Sequence, residues 1–195
     1  ILKIVVLNKL NININNKYDE NITFKQLYEF TNKKITIVGC CLTDMDTIYY
    51  NYEETPDVKL FDALRITFSI PFIFTPIKLD DKIYVDGGLL NNYPIELYDK
   101  KTTIGLISTN INIYNRNINS IESYISSIIF ITYYNNIQKK LNDYKHNTIN
   151  LEHNIDVLDF SIDKNKKLDL INYGYNKTKE LIDTHNFFEK SSKKS

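Results

Sequence analysis

Glycine is scarce in this chain: 5 of 195 residues, at positions 39, 87, 88, 105 and 174. A main chain can turn tightly or approach another closely only where no Cβ intervenes, so few places remain for a site built on bare backbone. Two of the five are adjacent, in the stretch KIYVDGGLLNNYP over residues 82–94. There an apolar run, Ile83, Tyr84 and Val85, ends on the carboxylate of Asp86; Gly87 and Gly88 follow, then Asn91, Asn92 and Pro94. A strand over 83–85 puts Asp86 at its carboxyl end, where ligands bind in open α/β sheets. Asn91 and Asn92 can tie down the loop with side-chain hydrogen bonds, and Pro94 suits the first turn of a following helix. Taken alone, Asp-Gly-Gly is also an ordinary turn signal.

Elsewhere, apolar runs alternate with helical patterns. Residues 1–10 read as a strand and 11–21 as a polar, Asn-rich connection. Thr23 caps a short helix through Phe30 with Phe24, Leu27 and Tyr28 on one face. Residues 35–42 read as a buried strand and 47–52 as a strand exposed on one side. Thr55, Pro56 and Asp57 read as the start of a helix that continues through Val58, Leu60, Phe61, Leu64 and Arg65. Further strands fit 103–108 and 158–162. A long helix fits 120–142, with Ile121, Tyr124, Ile125, Ile128, Ile131 and Leu141 on its apolar stripe. A last helix fits 169–184. Alternation of this kind predicts a layered α/β domain.

Composition narrows the function classes. Lysine plus arginine balance aspartate plus glutamate at 24 each, without the basic excess of a nucleic-acid binder. The adjacent Cys40 and Cys41 are poorly placed for a disulfide with one another, which favours a reducing, intracellular setting. No Cys/His array has zinc spacing, and no apolar run reaches the roughly 18 residues of a membrane span. No signal peptide is visible.

The stretch DALRITFSIPFIFTPIKLDDKIYVDGGLLNNYP, residues 62–94, closely resembles the second signature region of the patatin-like phospholipases. Ala63, Leu64 and Arg65 stand at that family's helix end, and Ser69, Ile70 and Pro71 at its Ser/Ala-Ile-Pro turn. Phe74 and Pro76 occupy its aromatic-x-Pro. Tyr84 to Gly88, with Asn91, Asn92 and Pro94, fill its YVDGGxxNNxP. Residues 22–44 resemble the helix and strand before that signature, and residues 158–182 the closing strand and helix, including Gly174 and Tyr175.

The resemblance implies a three-layer α/β/α fold with a mostly parallel central sheet. Residues 1–186 would be the C-terminal portion of such a domain, lacking its N-terminal strands, and 187–195 a polar, frayed tail. It also implies lipid acyl hydrolysis by a serine–aspartate dyad. Asp86 would be the general base, with Gly87 and Gly88 shaping the site and Asn91, Asn92 and Pro94 supporting the loop. No cofactor and no metal are implied. The expected partner is a phospholipid or other glycerolipid ester reached by peripheral membrane contact, and no nucleic acid. One departure stands out. The family's Gly-x-Ser-x-Gly elbow and glycine-rich oxyanion loop are absent from these 195 residues, and the chain opens on Ile1. The nucleophile is therefore expected upstream.

Other chemistries compete with this reading. His146, His153 and His185 follow Asp86, as a Ser…Asp…His order requires, but each lies in a polar setting that suits a surface imidazole. Cys40 and Cys41 sit in an apolar run and read as inert core. Ser69 reads as a loop hydroxyl bonding the backbone. Asp80 and Asp81 read as a solvated hairpin turn rather than metal ligands with Asp86. Phe72, Ile73 and Phe74 are expected in the core, the alternative being a greasy rim at a lipid surface. The rival function is a catalytically inactive domain that binds lipid or a partner.

Overall fold

Short connections decide how the first strands pair. Strands β1 (Ile37–Cys41) and β2 (Asp46–Tyr50) are joined by residues 42–45, and β3 (Ile77–Leu79) and β4 (Lys82–Asp86) by residues 80 and 81 alone. Connections that short allow only antiparallel neighbours. The computed structural model describes residues 21–110, 117–155 and 161–185. It divides into two units, Ile1–Asn92 and Tyr93–Ser195.

In the first unit the strands form one sheet in the order β2-β1-β4-β3, antiparallel throughout. Asp80 and Asp81 have φ of 47° and 62°, the two left-handed residues of a type I′ hairpin turn. Helix α1 (Phe24–Thr31) starts as its sequence predicts. The Thr23 hydroxyl accepts from the Gln26 N–H at 3.3 Å, while the Gln26 side chain accepts from the Thr23 N–H at 3.0 Å, a reciprocal cap. Helix α2 (Leu60–Thr67) corrects the expected start at Thr55. The Thr55 hydroxyl is turned backwards, donating to the Asn51 carbonyl and accepting from the Asn51 N–H. It therefore cannot cap a helix ahead of it, and Lys59 takes the N-cap position. Phe24 and Leu27 of α1 join Leu60, Ala63 and Ile66 of α2, with Ile37 and Tyr50 from the sheet, in one buried cluster. Each large apolar side chain buried there stabilises the unit by roughly 1.5–3 kcal/mol.

In the second unit, β5 (Gly105–Asn110) and β6 (Thr148–His153) pair in parallel from Gly105↔Thr148 to Asn110↔His153. Helix α4 (Ile121–Asp143) lies between them in sequence, as a parallel crossover requires; α3 is the four-residue turn Gly88–Asn91 of the first unit. Tyr93, Ile95, Ile107 and Ile137 form a second core with Tyr133, Leu141 and Tyr144. Helix α5 (Lys164–His185) approaches Leu151 of β6 at Gly174.

The expectation of a mostly parallel central sheet is thus corrected: among the described residues only β5 and β6 pair in parallel, and the sheet carrying Asp86 is antiparallel. The apolar stripe assigned to the long helix is corrected as well. Ile121, Tyr124, Ile128 and Ile131 are exposed, while Ser127 and Ile137 are buried. Isoleucine and aromatic residues occur on more than one side of α4, so periodicity could not select the inward face. The expected strand at 1–10 and tail at 187–195 lie outside the described residues, as does most of the strand expected at 158–162. No described helix is long and apolar enough to cross a membrane.

Candidate active site

Asp86 is the last residue of β4, paired across the sheet with Gly39. Its backbone N–H donates to the Ser69 carbonyl at 3.0 Å, which ties the end of the strand to the chain leaving α2. Oδ1 of the carboxylate accepts from the Gly88 N–H at 2.7 Å. Oδ2 takes no hydrogen bond from the described residues. Burial raises the Asp86 pKa above its ordinary 3.8, and the Gly88 N–H opposes that rise only in part. The result is a carboxylate anchored by one oxygen, partly desolvated, and a stronger base than an exposed aspartate.

The two glycines have separate reasons. Neither has a positive φ, so neither is there for a left-handed turn. At Gly87 a Cβ would lie 2.5 Å from the Val38 carbonyl carbon and 2.6 Å from its oxygen; the missing side chain lets the loop close on the backbone of β1. At Gly88 a Cβ would lie 2.8 Å from Oδ1 of Asn92 and 3.2 Å from Oδ1 of Asp86, so this glycine gives clearance directly beside the carboxylate. Asn91 closes α3: its N–H donates to the Gly87 carbonyl at 2.8 Å. Its side-chain NH2 donates to the Tyr49 hydroxyl, also at 2.8 Å. Asn92 follows, and Pro94 falls in the second unit just before a 3-10 turn, Ile95–Leu97.

Two contributors went unread in the sequence, Tyr49 and the Ser69 carbonyl. Tyr49 is one of two adjacent tyrosines in β2, and no local pattern marks the one that reaches Asn91. A backbone carbonyl carries no sequence signal at all.

The other candidate side chains have partners or surroundings of their own. The buried Ser69 hydroxyl donates to the Arg65 carbonyl at 2.7 Å, a helix-end back-bond. Cys40 and Cys41 are buried in β1, and burial raises the Cys40 thiol pKa. Asp80 and Asp81 lie in the turn before β4 and Asp86 at the strand's far end, roughly 17 Å or more away at strand rise. His146 is exposed in the turn after α4, and Nδ1 of His153 accepts from the Ile155 N–H at 3.2 Å; both are in the second unit. His185 ends α5. Phe72, Ile73 and Phe74 overturn the core expectation, for all three side chains are exposed. The tight turn at 70–74, closed by N–H donation from Ile73 and Phe74 to the Ile70 carbonyl, holds them away from the sheet.

Residues 13–99 match the family model for patatin-like phospholipase. A probable lipid hydrolase of Invertebrate iridescent virus 6 is 38% identical over 77 residues, covering 40% of this chain and 27% of its own length. An uncharacterized protein of Acanthamoeba polyphaga mimivirus is 30% identical over 179 residues, covering 84% of this chain and 58% of its own length. Both relatives are therefore considerably longer than the part this chain spans. Among solved structures, VipD from Legionella pneumophila superposes with a TM-score of 0.57 at 17% identity, over 84% of this chain and 35% of VipD. That likeness concerns the fold.

Proposed function

Taking residues 13–99 as belonging to the patatin-like phospholipase family, we propose that this chain carries the general base of a lipid acyl hydrolase. Asp86 is that base. The observation that carries the reading is its carboxylate geometry. One oxygen is held by the Gly88 N–H at 2.7 Å, and the other is left to accept a proton.

The serine lies outside these 195 residues, in sequence preceding the signature. That placement is supported by the absence of Gly-x-Ser-x-Gly here and by the greater length of the relatives. In the proposed step the serine oxygen attacks the ester carbonyl carbon while its proton passes to Oδ2 of Asp86. The proton then goes to the alcohol oxygen as the ester C–O bond breaks. Water next attacks the acyl-serine and gives up its proton by the same route, releasing the fatty acid and restoring the serine. Burial helps, because a desolvated carboxylate gains more by taking the proton. The substrate class is a phospholipid or other glycerolipid ester. Residues 1–186 then form the C-terminal portion of the hydrolase domain.

The test is fatty-acid release from phosphatidylcholine vesicles by the protein as its gene encodes it, with Asp86→Asn compared at matched fold. The loss should be on the order of 10²–10⁴-fold. Turnover within a factor of a few of the parent removes Asp86 from the chemistry. One observation favours a second reading, a binding domain without hydrolysis: this chain holds a half-buried carboxylate and no elbow serine. Absence of any acyl release from the whole gene product would favour it.

A further inference from the structure

Between Arg65 and Lys78 the chain carries no charged residue. That run leaves α2, passes the Ser69 carbonyl that receives the Asp86 N–H, and turns back into β3. At its tip Phe68, Phe72, Ile73 and Phe74 are exposed, Phe72 to 69%. Phe72 also has φ 68°, a left-handed conformation that is strained for a bulky residue. Hydrogen bonds from Ile73 and Phe74 to the Ile70 carbonyl, at 3.1 and 3.0 Å, fix the turn. The apolar display is therefore built rather than loose: a hydrogen-bonded backbone, strained at one residue, holds aromatic side chains in water.

We infer that this tip docks on an anionic lipid surface and brings Asp86 to it, an inference that rests on the lipid hydrolase reading above. Its shape and charge select that occupant. Three phenylalanines and an isoleucine suit the boundary between headgroups and acyl chains, where apolar side chains enter and flanking cations stay at headgroup level. The first charged residue on either side of the run is cationic, and both side chains are well exposed, Arg65 to 64% and Lys78 to 69%. Arg65 pairs with the half-buried Asp62 at 3.6 Å and Lys78 with the exposed Asp81 at 3.2 Å; surface pairs of this kind contribute little, so headgroup phosphates can compete for both cations. Because Ser69 begins the apolar loop and its carbonyl holds the end of β4, a membrane that receives the tip lies close to the carboxylate.

The chain has no tryptophan, which makes the test direct. Phe72→Trp places a single indole at the tip. Tyr175→Trp places one at a matched exposure of 68% on α5. Each is titrated with phosphatidylcholine vesicles containing anionic phosphatidylglycerol, and with the same vesicles carrying brominated acyl chains. The indole at position 72 should shift to the blue and be quenched by bromine, and the indole at 175 should do neither. Phe68→Ser with Phe74→Ser should weaken vesicle binding by at least about tenfold, and Arg65→Glu with Lys78→Glu should weaken it most at low salt. An unshifted indole at 72, or equal shifts at both positions, overturns the inference. A blue shift at 72 that appears without vesicles and grows with protein concentration also overturns it, identifying the tip as a contact between copies. The Asp86→Asn variant separates this inference from the catalytic one. Docking that persists while hydrolysis is unaffected by Asp86→Asn keeps the surface and discards the base.

Discussion

Gly87 sits against the main chain of Val38, close enough that a Cβ would lie 2.5 Å from the Val38 carbonyl carbon. Val38 is inside β1 and cannot withdraw without breaking the ladder to β2. Gly87→Ala should therefore cost roughly 2–3 kcal/mol, seen as a melting temperature lower by roughly 5–10 °C. Gly88→Ala meets only the ends of the Asn92 and Asp86 side chains, which can move. It should melt near the parent while losing acyl-release activity, because the carboxylate is displaced. Thermal melts and turnover of the pair separate the two roles.

The Tyr49 hydroxyl receives the Asn91 side-chain NH2 at 2.8 Å, joining the loop after Asp86 to β2. Tyr49→Phe should cost roughly 0.5–1.5 kcal/mol, and Asn91→Ala roughly 1–3 kcal/mol because Asn91 is buried. Since they share a hydrogen bond, the double variant should cost less than the sum. Additive denaturation free energies would mean that the bond contributes nothing.

Asp86 gives a signed dependence on pH. Its folded pKa is raised by burial above the ordinary 3.8, so the folded state favours the protonated acid. Stability from this group is fully present below 3.8 and is lost as pH rises through the raised value. Asp86→Asn should therefore melt at or above the parent at pH 7, with the gap closing as pH falls towards 3.8. Catalysis runs the other way, because the base must be ionised. Turnover should rise with pH through the same raised value, and an acid limb centred below 3.8 would contradict the assignment.

Ser69 provides a check on the nucleophile. With its hydroxyl donating to the Arg65 carbonyl at 2.7 Å, Ser69→Ala should cost roughly 0.5–1.5 kcal/mol and leave most of the acyl release intact. Abolished turnover in a folded Ser69→Ala protein would place the nucleophile in this loop.

What the sequence revealed follows from which signals are local. The cap at Thr23 and the turn at Asp80 and Asp81 depend on residues a few positions apart, and both were readable. Thr55 looked like a cap because its composition is right, yet its hydroxyl is committed to Asn51, which no helix template includes. Strand β6 was missed because its alternation, Ile149 and Leu151 with Asn150 and Glu152, is short and lies in a segment dominated by polar residues. Sheet direction was misjudged for a different reason: parallel pairing rested on the family resemblance, whereas the two-residue and four-residue loops fix antiparallel pairs in the first unit. At the site, the order of Asp86, Gly87 and Gly88 was legible. What each glycine touches was not, because Val38 lies 49 positions away in a chain of 195. Phe72 to Phe74 were misplaced because apolar clusters usually pack inward, and only the turn geometry at Ile70 shows these facing out.

The dyad is tested most directly by the rate at which a fluorophosphonate ester, which reacts with activated serines, labels the whole gene product with and without Asp86→Asn. One serine outside residues 1–195 should be labelled stoichiometrically in the parent protein. Asp86→Asn should slow that labelling by at least about a hundredfold while circular dichroism stays unchanged. Equal labelling rates in the two proteins, or a label carried by Ser69, would contradict Asp86 as the base of an upstream serine.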